Sequence, residues 1–341
     1  MFRPATLLRT VGRRVAFIIP CYNEEATIAD VIAEAKGRLP TAEVYVYDNN
    51  SSDRTKERAR AAGAIVREEP LQGKGNVVRR MFADVEADVF VMVDGDDTYD
   101  LSQVDLHVAQ LIEENLDMLV GVRRHEDVAS ERRGHQLGNR LFNVVVRSLF
   151  GKGFTDIFSG YRVFSRRFVK SFPAVSGGFE IETELSIHAL QLRLPVREQD
   201  VTYRLRPEGS NSKLRTFQDG ARILWMIFLL LKEVRPLSLF GAVGTGCALL
   251  SLGLIYPVLI EYFETGLVPR FPTAILSMGL MLLSFFSFAC GFILDGVTRG
   301  RSEVKRVLYL ASGLPVAMEP AEALPVAPAA EAQRDAPPWA G

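Results

Sequence analysis

Apolar residues follow two different patterns along this chain. Up to about Arg206, short apolar runs alternate with stretches in which apolar positions recur every three or four residues. The run from Val15 to Ile19, closed by Pro20, reads as a buried strand. Ile28, Val31, Ile32 and Ala35 follow at helical spacing until Gly37 and Pro40 end that helix. Further strands are predicted at Val44 to Tyr47, Ala64 to Val66, Val89 to Val93 and Met118 to Val122. Between them lie three helices. Ser52 or Asp53 caps the first and Gly63 stops it; the second follows the Gly73-Lys74-Gly75 turn through Met81 and Phe82; the third covers about Leu101 to Glu114. This alternation predicts an α/β fold, a mostly parallel sheet with helices on both faces, whose ligands bind beyond the carboxyl ends of the strands.

From Leu237 the pattern changes. Neither Leu237 to Ile260 nor Thr273 to Leu294 contains a charged residue, and each is long enough to cross a hydrocarbon layer as a helix. Lys213, Arg215, Arg222, Lys232 and Arg235 precede the first run, and Arg299, Arg301, Lys305 and Arg306 follow the second. The intervening loop, Glu261 to Arg270, holds one Arg and two Glu, so both ends are expected in the cytoplasm. Just upstream, between Phe217 and Leu231, Ile223, Leu224, Met226, Ile227, Leu230 and Leu231 oppose Asp219, Arg222 and Lys232, which suits an amphipathic helix on a membrane surface. Met1 to Arg14 has no apolar core of signal-peptide length. The residues after Ser312, rich in Ala, Pro and Glu, are predicted to be disordered. The expected layout is an extension over 1–14, a catalytic domain over 15–215, an interfacial helix over 216–235, a two-span hairpin over 236–300 and a cytoplasmic tail over 301–341.

A formal net charge of −1 gives no support for nucleic-acid binding. Cys21, Cys247 and Cys290 are too far apart in sequence to suggest a disulfide framework or a zinc site. No G-x-G-x-x-G follows the first strand, which counts against a dinucleotide-binding dehydrogenase, and Gly73-Lys74-Gly75 is not a Walker loop. The chemistry concentrates where apolar runs end: Tyr22-Asn23-Glu24, Asp48-Asn49-Asn50 and Asp94-Gly95-Asp96. On an extended chain the i, i+2 spacing puts Asp94 and Asp96 on one side. Two such carboxylates suit a hard divalent cation carrying a diphosphate. Lys74 is a candidate phosphate contact. His107, His125, His135 and His188 show no metal spacing.

Four segments together resemble the family 2 glycosyltransferases of the GT-A fold, and within them the polyprenyl-phosphate glycosyltransferases similar to dolichol-phosphate mannose synthase. Pro20-Cys21-Tyr22-Asn23-Glu24 looks like the family's P-x-Y-N-E opening, and Asp48 to Thr55 its D-[DN]-x-S-x-D-x-T segment. Asp94-Gly95-Asp96 looks like its D-x-D, and Asp156 to Arg162 its D-x-x-S-G-[FY]-R. The likeness covers roughly residues 14–215. Two departures stand out: Thr98 takes the place of a Gln that many relatives carry, and the segment from Arg206 to Leu214 has one extra residue before Ser212.

The resemblance implies an inverting transfer of a hexose or N-acetylhexosamine from a UDP- or GDP-sugar to an undecaprenyl or dolichyl phosphate, in cell-envelope glycan assembly. It implies an integral protein of the cytoplasmic membrane. Pro20, Tyr22, Glu24, Asp48, Asn50, Lys74 and Asp94 are then expected on the donor nucleotide, and Asp94, Asp96 and Thr98 on Mg²⁺ or Mn²⁺. Arg123, Arg162 and Lys213 are expected on the acceptor phosphate, and Asp156 as acceptor-orienting group or base. Asp94, Asp96, Asp156 and Arg162 form the implied catalytic set, and among Glu180, Glu182 and Glu184 the second is the candidate sugar contact. Homo-oligomerisation is left open. The alternatives are another membrane acceptor, glycolipid or polysaccharide, or a non-catalytic adaptor on the same fold; the absence of Q-x-x-R-W and of further spans speaks against a polysaccharide synthase.

Overall fold

The computed structural model describes residues 12–125, 144, 154–178, 180–204, 228 and 231–312. Its first half follows the expected alternation: β1 (Val15–Cys21), α1 (Ile28–Arg38), β2 (Glu43–Asp48), α2 (Thr55–Ala61), β3 (Ile65–Glu68), α3 (Lys74–Asp84), β4 (Val89–Met92), α4 (Val104–Glu113) and β5 (Met118–His125). Four elements then complete the soluble part: β6 (Arg162–Ser165), α5 (Arg166–Ser171), α6 (Ile181–Leu192) and β7 (Val196–Tyr203).

The seven strands form one sheet in the order β3-β2-β1-β4-β6-β5-β7. β1 pairs parallel with β2 and β4, and β2 with β3. β6 is antiparallel to both neighbours, β4 and β5, whereas β5 and β7 pair parallel. The sheet is therefore mixed around a parallel half. Every residue of β1 and β4 is buried, as a two-faced central strand requires. Their side chains alternate between two cores. Ala16, Ile18, Phe90 and Met92 meet α3, α5 and α6 through Val78, Met81, Phe168 and Leu185. Phe17, Ile19, Val89 and Val91 meet α1, α2 and α4 through Ile32, Ala59 and Val108.

Two long apolar helices follow, α7 (Pro236–Thr265) and α8 (Phe271–Ala311), each with a mean hydropathy of 2.0 over its most apolar window. Only 17% and 22% of those windows are buried, so these are not core helices. Proline opens both, and Gly266, at φ 71°, closes α7 in the left-handed conformation that glycine tolerates best. The pair packs as a hairpin through small residues. Ser251 Oγ donates to Ser277 O at 2.7 Å and Ser277 Oγ to Ser251 O at 2.9 Å. A Cβ at Gly244 would lie 3.0 Å from the Phe288 ring.

The layout changes at one boundary. Forty-one residues of α-helix span roughly 60 Å, about twice the thickness of a bilayer's hydrocarbon core. α8 continues unbroken to Ala311, so residues 301–311, expected at the start of a tail, are helical. The interfacial helix expected over 216–235 lies outside the described residues except for residue 228 and 231–235, of which Leu231 and Val234 pack against the core under α6. Residues 313–341 also lie outside them.

Candidate active site

Parallel pairing of β1, β2 and β4 brings their carboxyl ends to one edge, where Cys21 is in register with Asp48. β6 enters that edge in the opposite sense, Arg162 opposite Met92, so the loop before Arg162 faces the loop after Met92. All four motif segments thus meet because of strand direction, and side chains fasten the first two to each other. Asn23 N donates to Ser51 Oγ at 2.9 Å, Ser52 N to Asn23 Oδ1 at 2.8 Å, and Glu24 N to Thr55 Oγ1 at 2.9 Å. Asn23 and Asn50 hold left-handed backbone at φ 55° and 63°, a conformation Asn tolerates better than most residues.

Asp48 is buried; Oδ2 accepts from Ser51 N at 3.0 Å, while Oδ1 is buried without a partner among the described residues. A buried carboxylate oxygen left without a donor is unfavourable, and an N–H or O–H brought by a ligand would relieve it. Asn50 is turned toward the loop after β3, its amide donating to Pro70 O at 2.7 Å. Asn49 has a part that the sequence did not suggest. Its amide donates to Glu69 O and Leu71 O, and its Oδ1 accepts from Gly73 N at 2.7 Å, so it ties the end of β2 to the lysine turn. The available signal was its place directly after a strand-end aspartate.

Lys74 is the centre of charge. Its ammonium lies 2.5 Å from Asp94 Oδ1 and 2.6 Å from Glu182 Oε1. Burial opposes that charge, but Asp94 and Glu182 outweigh it and hold the ammonium well above the usual lysine range. The turn is sealed by the irregular segment before α6: a Cβ at Gly75 would sit 2.0 Å from Ser176 O, and one at Gly73 2.1 Å from Gly177 O. On the expectation that the lysine turn touches the donor nucleotide, Gly75→Ala should push that segment off the turn and weaken uridine diphosphate binding by about tenfold, with unchanged circular dichroism; calorimetric titration reads this out, and unchanged affinity would overturn that expectation.

Asp94 and Asp96 are not arranged as their spacing suggested. The strand stops at Met92, and Gly95 and Asp96 lie in a turn, so the pleat does not align them. Asp94 keeps 27% of its side chain exposed, whereas Asp96 is buried, with Oδ1 accepting from Thr98 Oγ1 at 2.6 Å. Thr98 is fully buried, and its hydroxyl holds Asp96, which corrects its expected place as a direct ligand. Burial, reinforced by Glu24, Asp48, Asp94 and Asp96, pushes the Cys21 thiol well above its ordinary range; those carboxylates act on one point. Among the described residues no three His, Cys, Asp or Glu side chains gather as a complete metal cage. Two carboxylates suit Mg²⁺ or Mn²⁺, which take one or two protein carboxylates and complete their shell with substrate phosphate and water.

The loop before β6 closes the other side. Asp156 is buried and accepts from Arg123 Nε at 2.6 Å and Nη2 at 2.8 Å. The Arg123 guanidinium also lies 5.6 Å from the centre of the Tyr203 ring. Gly160 N donates to the Tyr99 hydroxyl at 2.8 Å, and a Cβ at Gly160 would come within 2.2 Å of Asp94 Oδ2, so a larger residue there would displace the Asp94 carboxylate. Tyr99, an aromatic soon after the acidic turn, is a second brace the sequence reading passed over.

Arg162 is placed differently from its expected role on an acceptor phosphate. It is fully buried, donating to Ser159 O at 3.0 Å, Ile157 O at 2.6 Å, Glu182 O at 3.1 Å and Ser186 Oγ at 3.0 Å. Its fork fastens the Asp156 loop to α6 and offers nothing to the cleft. Pro20 is buried within β1, and Tyr22 and Glu24 are half-buried at its end. Lys213 lies outside the described residues. His107 is a core group, its Nδ1 2.7 Å from the Tyr161 hydroxyl, and burial pulls it down to about 4.

Residues 16–172 match the family model described as glycosyl transferase family 2. The chain is 32% identical over 297 residues to glycosyltransferase AglJ of Haloferax volcanii, covering 86% of this chain and 97% of that protein. It is 30% identical over 213 residues to a dolichyl-phosphate hexose transferase of the same organism, covering 61% and 90%. Among solved structures, glucosyl-3-phosphoglycerate synthase from Mycobacterium tuberculosis in complex with uridine diphosphate superposes at a TM-score of 0.54 with 25% identity, over 68% of this chain and 86% of that one.

Proposed function

We propose, from the premise that this chain belongs to glycosyl transferase family 2 and is a glycosyltransferase, that it moves a sugar from a nucleotide-sugar donor to a polyprenyl phosphate at the cytoplasmic face of a membrane. The observation that carries this reading is the joining, in one chain, of a carboxylate-and-lysine cluster at the strand ends to a hairpin long and apolar enough to cross a bilayer. Relatives named for uridine diphosphate and dolichyl phosphate support the two substrate classes.

On this reading the unpartnered oxygen of Asp48 receives an N–H or O–H of the nucleoside. Mg²⁺ or Mn²⁺ bound at Asp94 and Asp96 supplies charge neutralisation for the departing diphosphate. Lys74, already between Asp94 and Glu182, adds a fixed cation beside the same phosphates, and Glu182 borders the sugar. A phosphate monoester is largely ionised near neutral pH, so the acceptor needs positioning more than deprotonation. Arg123 is the cation on that side. Asp156, with both oxygens on the Arg123 guanidinium, is better suited to orient that arginine than to take a proton. Attack from the face opposite the diphosphate inverts the anomeric centre. Basic residues flanking the hairpin put both ends in the cytoplasm.

The deciding experiment offers the full-length protein a panel of labelled nucleotide sugars with undecaprenyl phosphate, Mg²⁺ or Mn²⁺. Label entering an organic-soluble, acid-labile lipid is the expected result. Label entering only water-soluble products would favour a soluble acceptor, and lipid binding without turnover on any donor an adaptor.

A further inference from the structure

The end of α8 beyond the apolar layer returns to the catalytic domain and grips it at the sheet edge opposite the active site. Residues 302, 305, 309 and 312 share one helical face and are half-buried. Lys305 Nζ donates to Gln191 Oε1 of α6 at 3.1 Å. The Tyr309 hydroxyl donates to Asp117 Oδ2 at 2.8 Å, and the Arg167 guanidinium lies 5.4 Å from the centre of the Tyr309 ring. Val304, Val307, Leu308 and Leu310 are exposed, so apolar burial does not set where this segment rests. Its polar contacts do.

Asp117 is a junction. Its side chain has no exposed surface; Oδ1 accepts from Ser165 Oγ at 2.7 Å and from Arg167 Nε. Its backbone N–H donates to Pro195 O before β7, and its carbonyl accepts from Ser165 N at the end of β6. β6 runs from there to the other edge, about 10 Å away for four extended residues, where Arg162 fastens the Asp156 loop and α6. One short, fully buried strand therefore joins the membrane helix to the loop that forms the acceptor side of the site.

Between the apolar layer and this grip, α8 carries Gly296 and Gly300, and a Cβ at either would meet nothing within 4 Å. Packing does not require glycine there. Each weakens a helix relative to alanine, so the exit is a soft point. A soft exit followed by a polar grip leaves the grip to fix the tilt of the catalytic domain over the membrane.

We infer that Tyr309, through Asp117 and Arg167, is a positioning residue: the cytoplasmic end of α8 is an intramolecular strut that holds the active site in line with an acceptor presented by the bilayer. The inference rests on the membrane-acceptor reading for its purpose and on the contacts alone for its existence.

The test uses the full-length protein in lipid nanodiscs, as Tyr309→Phe, which keeps the ring for Arg167, and Tyr309→Ala, which removes both contacts. Deuterium uptake over residues 301–311 is expected to accelerate about tenfold in Tyr309→Ala and less in Tyr309→Phe. The Kd for uridine diphosphate should stay within about twofold, while the KM for embedded undecaprenyl phosphate rises about fivefold or more. Adding Gly296→Ala and Gly300→Ala to Tyr309→Ala should stiffen the exit and recover part of that loss. Unchanged uptake in Tyr309→Ala would overturn the strut. Faster uptake with an unchanged acceptor KM would overturn its positioning role, as would an equal loss of nucleotide affinity, which marks a merely structural contact. If the wild-type protein does not use the lipid, the acceptor reading falls, and the exchange measurement, which needs no acceptor, still decides whether the strut exists.

Discussion

Asp94→Asn is expected to lower kcat by roughly 100- to 1,000-fold while leaving the fold intact. Asparagine keeps the shape of the side chain, and Asp94 is the more open of the two aspartates, so the core loses nothing. The charge, however, is lost at the point where Lys74, the acidic turn and Gly160 converge. With Asp94 neutral, Lys74 keeps only Glu182 as counter-charge, and a divalent cation loses the carboxylate that faces the cleft. Two readouts separate these consequences. Thermal unfolding should be nearly unchanged, and the metal concentration needed for half-maximal turnover should rise. Unchanged turnover would refute the assignment of this acidic turn to the donor diphosphate, and with it the reading of the strand-end cluster as a catalytic centre.

Arg162→Ala should severely destabilise the catalytic domain. The carbonyls of Ile157 and Ser159 lose their donor in a site with no solvent access, and Glu182 O and Ser186 Oγ, which remain bonded to each other, each lose one partner. At about 1–3 kcal/mol for each unsatisfied buried group, the loss reaches about 4 kcal/mol or more, a large share of the 5–15 kcal/mol typical of a domain. Arg162→Lys is the sharper comparison. A phosphate grip would tolerate lysine as a point charge, with normal stability and a higher acceptor KM. A buried fork would not, because one ammonium cannot reach both the loop carbonyls and α6. The expected result is a large fall in thermal midpoint for both variants. A stable Arg162→Lys protein with only a raised acceptor KM would restore the phosphate-binding role.

Arg162 also shows where sequence reading stops. A charged residue after Ser-Gly-Tyr looks like a surface ligand when only local pattern is visible. Its burial depends on β6 running antiparallel between β4 and β5, and nothing within four residues of Arg162 specifies that. Thr98 is similar: a hydroxyl two residues beyond an aspartate reads as a third ligand, but the turn at Gly95 folds it onto Asp96. Asn49 and Tyr99 were passed over because their partners, at Gly73 and Gly160, lie 24 and 61 residues away in the chain.

What the chain determines by itself is what depends on period and composition. The strand runs and helix faces up to β5, the strand-end placement of Asp48 and Asp94, and the two membrane-length helices follow from apolar spacing, because burial acts on each element almost independently of its neighbours, whereas β6, α5, α6 and β7 were not read from it. What only the tertiary structure decided is which polar groups face a ligand and which face each other. Lys74 between Asp94 and Glu182, Asp156 on Arg123, and Tyr309 on Asp117 each join residues 20 to 192 positions apart. A hydrogen bond is directional and acts over about 3 Å, so its partners are set by how strands are ordered and by where a helix returns, and those are properties of the whole fold.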